Sequence, residues 1–502
     1  MKKILIVLAS ILSFCACQKE SYRIPEFTLV SEEGALDAEG QDIFIPVKYS
    51  ASGTTMSDVR YTLMLDKQKE PPVGVSYGTI VSKGGFTVKV PANTGQERSV
   101  RILVCYNAPD DKGVLGWSEW ACVFDGTQAK GDNIIPEPGE DNWQKAADAV
   151  SHMHAGWNLG NTLDAHGEWI WQYTKRYNSD YEMAWGQGLT TAKLMKTFAD
   201  AGFTAIRVPV TWYQHMADYM NPGSTDYTVD EQWMKRVEEI VGYVLDAGMY
   251  CIVNVHHDTG EGDDHWMHAD EAIYNEMSAK YAALWKQIAN RFKGKDERLL
   301  FEGFNEILDK GNNWNEPKDS KAYDVVNKLN QLFVNTVRAT GGNNSYRNLI
   351  CNTYCAGSNR KTCSAWTLPK DVVSGHIIAE VHSYAPYNFA SDVSEDPWWG
   401  DKDTRIFDSS ARSQVENEIK VLNDIFTQKG VPVIIGEYGA ADKDNEAERA
   451  KQADCYVSTA MKYDIGTFYW MSLIDGEDRK TCTWTTPLIR DAILNAVYNN
   501  MR

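Results

Sequence analysis

Eight short apolar runs alternate with longer amphipathic stretches between residues 153 and 472, and this alternation constrains the fold more than any other feature. The runs are 153–160, 203–210, 249–256, 299–306, 348–354, 376–383, 432–437 and 466–472. They are short and lack helical spacing, so they read as strands buried on both faces. The intervening stretches 191–201, 230–247, 273–292, 321–340, 412–429 and 446–463 carry apolar residues at helical spacing. Repeated βα units predict a parallel sheet, and eight of them predict a closed α/β barrel of the (β/α)8 TIM type. A doubly wound open sheet is the alternative. No Gly-x-Gly-x-x-Gly follows the first run and no phosphate-binding lysine loop occurs, which disfavours nucleotide chemistry.

The runs end in polar groups, at the end of a parallel strand where barrel chemistry sits. The fourth closes with Asn305-Glu306 and the seventh with Glu437. Arg207 interrupts the second. The third ends Asn254-Val-His256-His257-Asp258, the sixth ends His382-Ser-Tyr384, and the eighth carries Trp470. A single polar residue at a strand end is ordinarily a satisfied structural group. Several at equivalent ends must bond one another around a pocket, because burying them unpaired is costly. Two carboxylates among donors and an aromatic platform is the layout that glycoside cleavage requires. Strand alternation puts Asn254 with His256 and His382 with Tyr384, and it separates His256 from His257 and Asn305 from Glu306 unless the strand has already ended. A metal cluster built on His256, His257, Asp258, His265 and His268 is disfavoured, since adjacent histidines diverge and no His-x-His closes the first run. No metal and no cofactor is expected.

The net charge of −19 argues against a nucleic-acid partner and suits a neutral substrate. Of the 17 tryptophans, Trp185, Trp212, Trp266, Trp314, Trp398 and Trp399 fall in or near βα loops, where flat apolar faces can stack on a ligand. The 384–402 loop, with Tyr387, Trp398 and Trp399, is the best single candidate for a wall of the site.

Ahead of the barrel, residues 1–17 read as a leader, with Lys2 and Lys3 before a run too short to span a bilayer. Its end, Phe14-Cys15-Ala16-Cys17, resembles a bacterial lipoprotein signal, which implies cleavage after Ala16 and lipid on Cys17; a plain secretory signal is the alternative. Gln18-Lys19-Glu20 resembles the export tag of surface lipoproteins in Bacteroides-like bacteria. Residues 18–35 read as a polar tether. Residues 36–125 carry short β segments with turn signals, predicting a small all-β, immunoglobulin-like sandwich of antiparallel strands. The stretch from Phe86 to Val100 resembles BACON domains, which implies either carbohydrate binding or a spacer. Gly- and Pro-bearing 126–141 reads as a linker, and 142–502 as the barrel domain. Beyond the leader lie Cys105, Cys122, Cys251, Cys351, Cys355, Cys363, Cys455 and Cys482, with no Cys-x-x-Cys. Export permits disulfides among them, and Cys105 and Cys122 either pair or are simply buried.

The barrel resembles glycoside hydrolase family 5, a family of retaining β-glycanases. The resemblance rests on Gly156-Trp-Asn-Leu-Gly-Asn-Thr-Leu-Asp-Ala165, Arg207-Val-Pro, His256-His-Asp, Phe304-Asn-Glu306, His382-Ser-Tyr384, Gly436-Glu-Tyr-Gly439 and Trp470. The first of these is most similar to subfamily 4, which holds endo-β-1,4-glucanases, lichenases and xyloglucanases. It implies Glu306 as acid/base and Glu437 as nucleophile, with Arg207 and Tyr384 beside Glu437. It also implies Asn305 on the sugar 2-hydroxyl, His256 and His382 as orienting groups, Trp470 under the sugar, and Asn161 and His257 in the negative subsites. The implied function is a retaining endo-β-1,4-glucanase acting on the plant polysaccharide xyloglucan. Mixed-linkage glucan or soluble cellulose is the alternative substrate, and a non-catalytic glycan-capture lipoprotein the alternative role. The expected setting is a monomer held at the outer membrane by its lipid alone, facing the exterior.

Overall fold

The computed structural model describes residues 22–27, 31–38, 40–50, 52–53, 55–65, 79–80, 84–90, 93, 97–110, 113–129, 140–261, 265–391, 404–470 and 472–501. They fall into two compact units, Met1–Asp132 and Asn133–Arg502.

In the first unit, strands Pro25–Phe27, Gln41–Tyr49 and Gly84–Val90 form one sheet. Strands Ser31–Leu36, Ala121–Gln128, Arg98–Pro109, Val59–Leu65 and Thr79–Ile80 form another in that order, with Leu115–Trp117 added to Arg98–Pro109. Period-two burial sets Ile43, Ile45, Val47, Phe86 and Val88 against Val100, Ile102 and Val104 in a common core. Three expectations are corrected. Residues 18–35 are not simply a tether: Pro25–Phe27 pairs with Gln41–Tyr49, and Ser31–Leu36 pairs with Ala121–Gln128. Polar composition concealed these strands, as it does at sheet borders. The second of these pairings is parallel, so the sandwich is not wholly antiparallel. Gly126 begins no linker, because the last strand continues to Gln128 past a register shift between Phe124 and Gly126, a bulge that reads as a turn in sequence. Residues 1–17, expected to form a leader, and Cys17 among them, lie outside the described residues. The eight cysteines of the described residues, Cys105 and Cys122 among them, are free thiols.

In the second unit the eight runs become eight parallel strands: β1 (Gly156–Asn158), β2 (Ala205–Val208), β3 (Tyr250–Asn254), β4 (Leu299–Glu302), β5 (Leu349–Gly357), β6 (Ile377–His382), β7 (Val433–Tyr438) and β8 (Gly466–Trp470). Each pairs with the next, and β8 pairs back onto β1 to close the barrel. Helices Ala192–Ala201, Glu231–Asp246, Tyr274–Arg291, Lys321–Ala339, Ser409–Ile425 and Glu446–Met461 occupy the predicted amphipathic stretches. Their apolar faces cover the outward residues of the strands, as where Trp157 of β1 stacks on Phe198 at 4.1 Å. The helix Pro487–Asn500, not foreseen in the sequence, completes the ring against Glu446–Met461.

Inside the barrel, Ala205, Ile252, Leu300, Ile350, Ile378, Ile434 and Phe468 form a separate apolar layer, sealed by Ala146, Ala149, Val150 and Met153 ahead of β1. Two residues further along each strand, alternation returns the chain to the interior at Arg207, Asn254, Glu302, Asn352, Glu380, Gly436 and Trp470, joined by Asn158 of β1. This polar layer is the floor on which the site is built.

Candidate active site

Arg207 organises the floor. It is fully buried, and each of its five N–H groups has an acceptor. Nε and Nη2 donate to the two oxygens of Glu302 at 2.6 and 2.8 Å. Nη1 donates to Asn158 Oδ1 at 2.9 Å and to Glu437 Oε1 at 2.8 Å, and Nη2 also donates to Asn305 Oδ1 at 2.9 Å. Burial opposes its charge, but Glu302, Glu380 and Glu437 outweigh it and hold the guanidinium protonated. Glu302 takes a further bond from Asn254 Nδ2 at 2.9 Å, and Asn254 also bonds His256 Nδ1 at 2.9 Å.

Above the floor stand the two glutamates. β4 ends at Glu302, four residues before the predicted end. Tyr281 and the Trp285 indole N–H both donate to Gly303 O at 2.9 Å and pin the turn. Asn305 and Glu306 therefore lie off the strand, and alternation no longer separates them: both reach one site. His256 and His257 likewise follow the end of β3, with ring centroids 4.5 Å apart. Glu437 is aimed differently. It lies in β7 opposite His382, where the β6–β7 register shifts, and such an irregularity re-aims a side chain.

The two carboxylates meet at His382. Its Nδ1 lies 2.7 Å from Glu306 Oε1 and 3.6 Å from Glu437 Oε2, and oxygens of the two glutamates lie within 4.8 Å of each other. Tyr384 donates to Glu437 Oε2 at 2.7 Å. The Glu306 side chain is 22% exposed and that of Glu437 only 6%, so the first faces the opening and the second the floor. Burial pushes the Glu437 carboxyl above its ordinary value, against the opposing pull of His382, Arg207 and the Tyr384 bond. Burial would also lower His382, but the charge of Glu437, the bond to Glu306 and the nearby Glu380 raise it to about 10. The imidazole is thus cationic at neutral pH. His256 and His257 are the reverse: burial, reinforced by neighbouring cations and imidazoles, holds both well below the ordinary range and so neutral.

Trp470 lies parallel to His256, with centroids 5.8 Å apart and a 6° interplanar angle. Asn161 adopts a left-handed backbone (φ 55°) that its bond to Asp164 supports, its N–H donating to Oδ2 at 2.9 Å. His257 packs against His166 and Trp185. Arg207, Asn305, Glu306, His382, Tyr384 and Glu437 are therefore one bonded group; His256 joins it through Asn254 but has no bond to either glutamate among those described. Oxygens of Asp164 and nitrogens of His256 and His257 also lie close, as do those of Glu306, His382 and Glu437, so either trio has the spacing of metal ligands.

Some candidates lie elsewhere. Trp212 is fully buried and its indole donates to Asn254 O at 2.9 Å, so it braces β3 and presents no stacking face. Trp266 donates to Asp258 Oδ1 and packs on the core. Trp398 and Trp399 lie outside the described residues, while Tyr387 at the start of that loop is 70% exposed. Sequence reading missed Glu302 and Glu380, the floor carboxylates. The signal was there: each is a charge two residues after an interior apolar residue, as Arg207 is. It also missed the exposed aromatics of the loop after β1, Trp169, Tyr173 and Tyr177.

A family model described as cellulase (glycosyl hydrolase family 5) matches residues 163–475. Endoglucanase A of Ruminococcus albus is 36% identical over 372 residues, covering 72% of this chain and 95% of that protein. A crystal structure of a glycoside hydrolase family 5 enzyme from Prevotella bryantii B14, a mutant in complex with a xyloglucan tetradecasaccharide, is 39% identical with a TM-score of 0.64, covering 70% of this chain and 99% of that one. A GH5-4 broad specificity endoglucanase from Ruminococcus champanellensis with bound cellotriose is 37% identical with a TM-score of 0.63, covering 70% and 98%.

Proposed function

The chain belongs to glycosyl hydrolase family 5, and from that membership we propose that it is a retaining endo-β-1,4-glucanase that cuts the backbone of xyloglucan. The observation that carries the chemistry is the Glu306–His382–Glu437 group, with carboxylate oxygens within 4.8 Å. That spacing suits direct attack by one carboxylate; inverting enzymes separate the pair by roughly 6.5–9.5 Å to admit a water.

Glu437 is the nucleophile. Arg207, His382 and Tyr384 all favour its anion against the cost of burial, and its oxygen attacks the anomeric carbon. Glu306, nearer solvent, protonates the departing glycosidic oxygen. It then takes a proton from the water that hydrolyses the glycosyl ester. Arg207 accepts nothing and donates to Asn305 Oδ1, which leaves the Asn305 amide N–H groups for the sugar 2-hydroxyl. Trp470, backed by neutral His256, offers the face beneath that sugar. Asn161 and His257 line the negative subsites.

Xyloglucan is favoured by the oligosaccharide held by the Prevotella enzyme and by the exposed aromatics Trp169, Tyr173, Tyr177 and Tyr387, which suit a bulky, branched, neutral polymer. The broad specificity named for the Ruminococcus champanellensis enzyme supports a second reading, in which mixed-linkage glucan and soluble cellulose are also cut. The same proposal includes lipidation at Cys17, supported by Phe14-Cys15-Ala16-Cys17. It places a monomer on the outer face of the outer membrane, with a BACON-like sandwich as spacer or glycan binder. Initial rates on xyloglucan, barley glucan, mannan and soluble cellulose test the substrate, with Glu306→Gln as the blank. Xyloglucan is expected to be cut fastest and mannan least; a faster rate on mannan than on any glucan would overturn the assignment.

A further inference from the structure

Glu380 on β6 has no part in the chemistry above, yet it is fully buried beneath it. Its Oε2 accepts from Asn352 Nδ2 at 3.1 Å. Its Oε1 is buried with no hydrogen-bond partner among the described residues. Arg207 Nε is 3.4 Å away, but all five guanidinium N–H groups are already directed at Glu302, Asn158, Glu437 and Asn305. Among the described residues a remaining candidate donor is His382, whose Nε2 stands 3.6 Å from Oε1 and 3.5 Å from Arg207 Nη2. On its other side the same ring meets Glu306 through Nδ1 at 2.7 Å. The imidazole therefore stands between a partly exposed carboxylate and a buried one, a placement similar to that in hydrolases where a buried carboxylate fixes a histidine's tautomer and orientation. Space for this contact is built in: a Cβ at Gly436 would lie 1.7 Å from Glu380 Oε1, so a glycine at that place in the layer lets the carboxylate in.

We propose that Glu380 is a positioning residue for the acid/base glutamate: through His382 Nε2 it holds the ring oriented and doubly protonated, so that Nδ1–H stays aimed at Glu306. This rests on the acid/base role assigned to Glu306. The proton given to the leaving oxygen comes from the Glu306 carboxyl and is replaced from the attacking water; Glu380 neither donates nor receives it. The groups facing His382 are Glu306 from the β4 loop, Glu437 from β7, Arg207 from β2, His256 from the β3 loop and Glu380 itself, with Tyr384 on Glu437 and Glu302 behind Arg207. Burial and the charge of Glu302 push Glu380 up to about 7, while Arg207 and His382 pull it back. Ionised Glu380 and protonated His382 stabilise each other, so removing the carboxylate lowers the pH at which His382 loses its proton.

The test is Glu380→Gln in the full chain, with Glu380→Asp beside it. In Glu380→Gln the loss of the second His382 ring proton, followed by nitrogen-15 NMR, is expected to move down by about one pH unit. kcat should fall roughly tenfold and KM change by less than about twofold, and Glu380→Asp should recover part of both. A fall in kcat with the His382 titration unmoved would mean a merely structural role and overturn the proposal. A second readout needs neither variant nor turnover. Nitrogen-15 NMR of the wild-type protein at pH 7 should show both His382 ring nitrogens protonated. A neutral His382 would overturn the proposal whether or not the chain cleaves glucan, which separates its failure from that of the functional reading.

Discussion

Glu437→Gln is expected to lower kcat/KM on soluble glucan by roughly ten-thousand-fold or more, the scale seen when a hydrolase loses its nucleophile. The amide matches the carboxylate in shape, and its NH2 can donate to the Tyr384 hydroxyl, which lies 2.7 Å from the position of Oε2. Its one oxygen can then still accept from Arg207 Nη1, which lies 2.8 Å from Oε1. The floor therefore survives while the attacking anion is gone. Glucan binding, measured by isothermal titration with an oligosaccharide, should stay within about tenfold of wild type, because the subsites do not use the charge. The lost charge also removes a group that raises His382, whose value of about 10 should fall. Residual turnover above one hundredth of wild type would remove Glu437 from the nucleophile's role.

Arg207→Met should cost both stability and activity. It removes the counter-charge of Glu302, Glu380 and Glu437 at once, and stripping one partner from a buried ion pair costs about 3–5 kcal/mol. The loss depends on pH, and its sign follows from the carboxylates. In the intact protein Glu380 already titrates at about 7 against an ordinary 4.5, and Glu437 is raised as well. Arg207 opposes both shifts, so without it both values climb further. A carboxyl raised on folding destabilises increasingly as pH rises from its unfolded value through its folded one. The variant's deficit in urea unfolding should therefore be small near pH 4.5 and grow through pH 7. A deficit that is equal at both pH values would mean that Arg207 acts by packing and not by charge. Activity should be lost at every pH, since Asn305 and Glu437 lose their shared anchor.

The barrel was legible because eight buried strands leave eight apolar runs, and the helices between them keep a clear apolar face. The residues at the strand ends were legible for the same reason: Arg207, Glu306, His382 and Glu437 each break or close an apolar pattern. Glu302 and Glu380 break their runs in the same way as Arg207 and carry the same signal, but sequence reading passes over them because each lies inside its run and not at the end, where site residues are expected. The meeting of Asn305 with Glu306 depended on where β4 stops, and two long-range bonds from Tyr281 and Trp285 to Gly303 set that point. Trp212 shows the opposite failure. Its loop position suggested a stacking face, but its indole is spent on a backbone carbonyl of β3. At the chain's start, polar strands looked like a tether because a sheet border can be as polar as a linker.

The most direct measurement is proton NMR of the first product released from a soluble xyloglucan or β-1,4-gluco-oligosaccharide, read before mutarotation. Attack by Glu437 followed by water inverts the anomeric centre twice, so the β-anomer should appear first and the α-anomer only as the sugar equilibrates. An α-anomer formed first would mean a single displacement by water, and would contradict the two-glutamate account at its centre.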